Sequence, residues 1–199
     1  MVVACDMVVH GAGRAPDLSG LGLEAANVAF GPRGIEVAAS MRSPSNPRVY
    51  AVGDAAALGA PLTPVGVAQA RVARANIVEP GTATFEPLAV PTAVFSSPPL
   101  AKVGLTEDEA RTAGLDLEVK VSDMAGWTSS LRTGTRVAAA KTVVERGTGR
   151  IVGVHVLGHG AEEVVNVFAA AMLGGITAQQ MRSAIWAYPT DGSNIVYLL

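Results

Sequence analysis

The stretch Val49-Tyr50-Ala51-Val52-Gly53-Asp54, followed shortly by Leu62-Thr63-Pro64, decides the fold of this chain. Four consecutive apolar residues between Pro47 and Gly53 predict a strand covered on both faces, and ligands of open α/β sheets bind at the carboxyl ends of such strands. Asp54 stands at that end. Gly53 carries no side chain to block a close approach, which leaves the Asp54 carboxylate free to accept hydrogen bonds from hydroxyl groups. Thr63 reads as an N-cap and Pro64 as the first residue of a helix continuing to about Glu79. The unpaired N–H groups of its first turn would point back toward Asp54, favouring an anion or an electron-rich carbonyl. Taken by itself, the pattern is equally that of a plain Gly-Asp turn followed by an ordinary Thr-Pro helix start.

Outward from this point the chain reads in two parts. Residues 1–88 alternate strand, loop, strand and helix, with Gly31-Pro32-Arg33-Gly34 as a hairpin-like turn before Ile35-Glu36-Val37. A connector rich in Pro and Gly runs from Glu79 to Pro91. From residue 89 to 199 the pattern is that of an α+β unit. Thr106 and Glu109 form a capping box that opens a short helix ending at Gly114. Leu117–Val121, Val137–Glu145 and Ile151–Leu157 read as strands, the last two joined by a hairpin through Arg146-Gly147-Thr148-Gly149-Arg150. A helix over Ala161–Leu173 stops at Gly174-Gly175. Thr177 caps another helix reaching about Trp186.

Composition narrows the possible functions. The chain has 199 residues, of which 49% are hydrophobic and only 16% charged, against about a quarter charged in ordinary soluble domains. Mean hydropathy is +0.35. Such a surface implies that much of it is covered by other protein. A formal net charge of −2, with scattered Lys and Arg, argues against nucleic acid as a partner. The greasy stretch Val164–Ile176 is too short to span a bilayer, so no membrane is expected. No leader pattern opens the sequence and cysteine is scarce, which gives a cytoplasmic expectation. Three scattered histidines and one cysteine supply no metal-ligand spacing. That cysteine, Cys5, reads as a small buried hydrophobe, and His155, in the alternating strand, as a structural histidine.

Three segments in order carry a resemblance. Ser43–Ile77, containing the Asp54 strand and the Thr63 helix, resembles the second FAD-binding motif of the pyridine nucleotide-disulfide oxidoreductases, the family of glutathione reductase, dihydrolipoamide dehydrogenase and mercuric reductase. Asp6–Asp17 resembles the strand and loop that close the NAD(P)-binding domain and return to the FAD domain, with His10 and Gly13 unusual there. Pro91–Ala110 resembles the opening of the family's dimerisation domain.

The resemblance implies an α/β remnant of an FAD-binding domain, with the end of the NAD(P)-binding domain, over 1–88. An α+β dimerisation domain, an antiparallel sheet with helices, would follow over 89–199. FAD and NAD(P) are the cofactors it implies for the intact parent, and a homodimer through residues 89–199 is the partner. Gly53 and Asp54 would hold the FAD ribitol, and Leu62, Thr63 and Pro64 would face the flavin pyrimidine carbonyl. Gly11 and Arg14 would sit beside the cofactor, and the Ala93 carbonyl would meet the nicotinamide amide. The family's first GxGxxG, its redox Cys pair and its second GxGxxG have no counterpart in these residues. They are therefore expected to be a C-terminal fragment that binds no cofactor alone.

The stretch Ala184–Asn194 departs from the family pattern. Tyr188 stands at the position of the family's acid–base His, and Ser193 at that of its Glu. A phenol near pKa 10 stays protonated at neutral pH, where an imidazole exchanges protons. Tyr188 is then either a hydrogen-bond donor at the catalytic position or an aromatic filler at a subunit interface, and efficient disulfide reduction is not expected. Tyr188-Pro189 is expected to be cis. Helices over residues 161–186, with Phe168 among their contacts, are expected to form much of the dimer interface.

Overall fold

A computed structural model describes residues 2–11 and 13–199. The chain divides into two compact units, Met1–Glu86 and Pro87–Leu199.

In the first unit the dominant element is helix α1, Thr63–Val78. A short hairpin, β1 (Phe30–Gly31) and β2 (Gly34–Ile35), forms at the expected Gly-Pro-Arg-Gly turn. The strand expected over Val49–Val52 does not form as a strand. Tyr50 makes a single antiparallel bridge to Arg42, and a parallel bridge joins Ile35 to Ala56. The segment is extended, with Val52 at φ −142° and ψ 164°, but only Ala51 of the four apolar residues is buried. Its backbone pairs only briefly, the Ser43 N–H donating to the Val49 carbonyl and the Ala51 N–H to the Met41 carbonyl, and among the described residues no longer ladder extends this bridge into a strand. The same reason corrects the reading of the first residues. Val2, Val8 and Val9 are largely exposed, no strand is present there among the described residues, and Cys5 is exposed rather than buried.

The second unit is built on a five-stranded, wholly antiparallel sheet. Its strands are β3 (Thr92–Val94), β4 (Leu100–Gly104), β5 (Leu117–Asp123), β6 (Ala139–Glu145) and β7 (Ile151–Leu157), in the spatial order β3-β4-β7-β6-β5. β7 is nearly continuous in buried residues because it runs inside the sheet, whereas β5, on an edge, buries only Leu117. Where the chain leaves β4, the Leu105 carbonyl passes directly over Gly153. A Cβ there would lie 2.0 Å from that oxygen, so the crossing requires glycine.

Helices lie on both faces of this sheet. Helix α2 (Glu107–Thr112) opens with the expected Thr106–Glu109 capping box and packs Ala110 against Leu117, Val143 and Val152. After the six-residue helix α3 (Thr128–Thr133), helix α4 (Ala161–Leu173) lays Val164, Val165, Phe168 and Ala171 on the larger core with Val103, Val154 and Val156. Their spacing of one, three and three residues is a single helical stripe. Phe168 is wholly buried inside the unit. It is therefore a core residue and not an interface contact, because α4 spends its apolar stripe on its own sheet. Helix α5 (Ala178–Ser183) begins at the expected Thr177 cap, which forms a capping box with Gln180, but ends earlier than expected, since Ala184 turns extended. A 3-10 turn, Asp191–Asn194, leads into α6 (Ile195–Leu198), whose Ile195 and Leu198 complete the core.

Candidate functional site

Three of the residues marked out in the first unit, Arg14, Gly53 and Asp54, line one cleft of about 400 Å³, together with Pro32, Arg33 and Leu58 among others. Gly53–Ala55 forms a 3-10 turn. Gly53 adopts φ +63°, a left-handed conformation that favours glycine, and this turns the chain so that Asp54 faces the cleft. Helix α1 approaches closely there: a Cβ on Gly66 would lie 3.2 Å from the Gly53 Cα. Its N-cap is Leu62, without a side-chain cap, so Thr63 is the first helical residue and not the cap. Pro64 sits in the first turn, as expected from its fixed φ.

The side chain that fixes this corner is one the sequence reading missed. Gln69 is wholly buried. Its Oε1 accepts from the Gly53 N–H at 2.7 Å, and its Nε2 donates to the Leu58 carbonyl at 2.6 Å. Two turns on, Asn76 is buried likewise. Its Nδ2 donates to the carbonyls of Ser40 and Ala83 while its Oδ1 accepts from the Gly81 N–H. The signal was present in the spacing, because Gln69 and Asn76 fall on the same face as Val65 and Ala73.

Asp54 is half exposed, and its Oδ2 meets Arg14 Nη2 at 2.9 Å. The structure thus brings together Arg14, Gly53 and Asp54. Gly11, Thr63 and Pro64 are exposed, Leu62 is partly buried, and all four lie outside this cleft's lining. Ala93 belongs to the second unit, on the edge strand β3 opposite Ala101. The cleft offers the Asp54 carboxylate, the guanidinium groups of Arg14 and Arg33 and backbone groups, a donor set that suits a hydroxylated, anionic ligand. Among the described residues no group of three or more His, Cys, Asp or Glu is placed to hold a metal.

In the second unit Tyr188 is exposed and precedes a cis peptide bond to Pro189. Ser97-Pro98 is also cis and was not expected. Ser193 points inward, donating through Oγ to the Thr190 carbonyl at 2.6 Å. Thr190 in turn caps the 3-10 turn. A second feature missed in the sequence lies beside it. His159 Nδ1 and Asp191 Oδ2 are 2.8 Å apart, with the carboxylate seated against Gly160. His155, half buried on β7, bonds through Nε2 to the Leu105 carbonyl at 3.2 Å, the structural role expected. Burial pushes its pKa down, with the Leu105 carbonyl acting in the opposite sense.

The sheet with its flanking helices, set against known families, decides the kinship. Residues 90–198 match the pyridine nucleotide-disulphide oxidoreductase dimerisation domain, and residues 1–76 match the pyridine nucleotide-disulphide oxidoreductase family model. The chain belongs to the pyridine nucleotide-disulphide oxidoreductase family. Within it, the chain is 37% identical over 180 residues to a Staphylococcus aureus protein described as an uncharacterized 19.7 kDa protein in mercuric resistance operon, covering 90% of this chain and all of that protein. It is 30% identical over 190 residues to the dihydrolipoyl dehydrogenase of Bacillus subtilis, covering 96% of this chain and 40% of the enzyme. Among solved structures, the HOCl-induced flavoprotein disulfide reductase of Escherichia coli superposes with a TM-score of 0.82 at 25% identity, over 94% of this chain and 43% of the reductase. The chain thus spans about two fifths of these longer oxidoreductases and the whole of the short staphylococcal relative. Among the described residues no helix is long and apolar enough to cross a membrane.

Proposed function

We propose that these residues form the C-terminal part of a homodimeric, FAD-dependent NAD(P)H oxidoreductase that resembles the disulfide reductases but lacks their His–Glu pair. In this reading residues 1–88 supply the end of the NAD(P)-binding domain and the rear of the FAD site, and residues 89–199 are the dimerisation domain. The carrying observation is the Gly53–Asp54 corner, which opens a carboxylate onto a cleft at the foot of α1 in a region matched to the family. FAD, when bound, supplies two-electron transfer between a nicotinamide and an acceptor. Asp54 would accept hydrogen bonds from ribitol hydroxyls, Arg14 would exchange its pairing with Asp54 for a phosphate, and Gly53 would give the ligand room. Gly11, the Leu62-Thr63-Pro64 start of α1 and the Ala93 carbonyl are the family-matched positions assigned to the rest of the cofactors. Tyr188, a phenol where the family has imidazole, directs the reading away from thiol chemistry and toward acceptors that need no enzyme base.

A second reading rests on the unpaired apolar segment Val2–Val9 and the strandless Val49–Val52. There the 199 residues act as a dimerisation module with no cofactor and no activity of their own. Titration of the purified chain with FAD, followed by flavin fluorescence, separates the two. Saturable binding that is weakened by Asp54→Ala supports the first reading, and no binding supports the second.

A further inference from the structure

The cleft of the first unit holds three charged side chains, Arg14, Arg33 and Asp54, and they are not equivalent. Arg14 and Asp54 already meet at 2.9 Å and largely cancel each other's charge. The Arg33 side chain is exposed and has no carboxylate partner among the described residues, so its guanidinium carries the uncompensated charge of the cleft. The planar fork of its N–H donors matches the oxygens of a phosphate. An incoming anion reaches Arg14 only by displacing Asp54, whereas Arg33 is open to it from the start. The apolar walls supplied by Pro16, Pro32, Ala56 and Leu58 strengthen that attraction by thinning the water around it.

The backbone under Arg33 is built into the same frame as Asp54. Pro32 fixes φ at the start of the tight turn between β1 and β2, and Gly34, at φ +126°, closes it. That glycine is pressed against the turn bearing Asp54: a Cβ on it would lie 2.6 Å from the Ala55 carbonyl oxygen and 2.9 Å from the Ala57 nitrogen. Beside it the Ala57 N–H donates to the Ile35 carbonyl at 2.9 Å, while Ile35 bridges to Ala56 and is itself buried. The hairpin and the Gly53–Ala55 turn are thus one piece. A ligand that touches both Arg33 and Asp54 does not have to order two separate segments, which lowers the cost of binding.

We infer that Arg33 is the anion anchor of this cleft, binding the phosphate of an ester whose hydroxyl groups are taken by Asp54. A phosphorylated polyol satisfies both ends, because the carboxylate only accepts hydrogen bonds and the guanidinium only donates them. The identity of that ester as the cofactor rests on the FAD reading, to which it adds a residue that takes the phosphate without first breaking the Arg14–Asp54 pair.

The test is isothermal titration calorimetry of the purified 199-residue chain with inorganic pyrophosphate at low salt, where charge contacts are least screened. Binding should saturate, and Arg33→Gln should weaken it by roughly threefold to tenfold. Asp54→Asn should tighten it, because the change removes a repelling carboxylate and frees Arg14. Arg71→Gln, at an exposed arginine of α1 outside the cleft, should change nothing. Equal weakening in Arg33→Gln and Arg71→Gln would mean general surface attraction and overturns the inference, as does heat without saturation or binding indifferent to Arg33→Gln. A parallel titration with FAD separates this inference from the reading beneath it. FAD binding unchanged in Arg33→Gln overturns the anchor and leaves the cofactor reading standing. Pyrophosphate binding that needs Arg33, in a chain that takes up no FAD, keeps the anchor and removes that reading.

Discussion

The Oε1 of Gln69 holds the backbone N–H of Gly53 at 2.7 Å, so the turn that presents Asp54 is fastened from inside α1. Gln69→Leu would fit the volume but leave both the Gly53 N–H and the Leu58 carbonyl unpaired. A loss of about 1–3 kcal/mol is expected, read as a lower urea midpoint with unchanged slope. Little or no change in midpoint would show that the corner is held by other contacts.

Phe168 fills the core under β4 and β7 and is wholly buried. Phe168→Ala should cost about 3–5 kcal/mol through lost burial and the cavity left behind. Chemical denaturation measures this directly. A variant with native stability but altered oligomeric mass would instead restore the interface role that the structure withdraws.

Arg14 and Asp54 pair at 2.9 Å with much of both side chains in solvent. An exposed pair contributes less than about 1 kcal/mol. Arg14→Ala should therefore leave the thermal midpoint nearly unchanged, and a drop of many degrees would mean that the segment around Arg14 is tied down by more than this contact.

His155 has a folded-state pKa below its ordinary value because burial disfavours the cation. For a group depressed in this way, the unfolded chain binds the proton first. Its stabilising contribution is present above about pH 6.5, the unfolded value, and declines as pH falls through the lower folded value. His155→Gln should flatten the stability profile between neutral and mildly acidic pH. An unaltered profile would mean that another group governs that range. Glu107, whose pKa is lowered by bonds to Lys141 and Arg111, acts at still lower pH, its contribution being lost as the carboxylate is protonated.

The second unit was legible in the sequence because its signals are local. The Thr106–Glu109 box, the Thr177 cap, the glycine-punctuated turn at residues 146–150 and the α4 stripe each specify their own element. The first unit was less so. Val49–Val52 has the composition of a buried strand, but a strand exists only through partners, and composition cannot say whether they are present. Gln69 and Asn76 are polar side chains of a kind that ordinarily faces solvent on a helix, and only their register with Val65 and Ala73 marks them as part of the buried face. The His159–Asp191 contact joins residues 32 positions apart through a loop, which no periodicity announces.

Sedimentation equilibrium of the purified chain tests the account most directly, since both readings of its function require two copies to associate. The account predicts a species of twice the 20.2 kDa chain mass over the accessible concentration range. A single species at the chain mass, at every concentration, would contradict it.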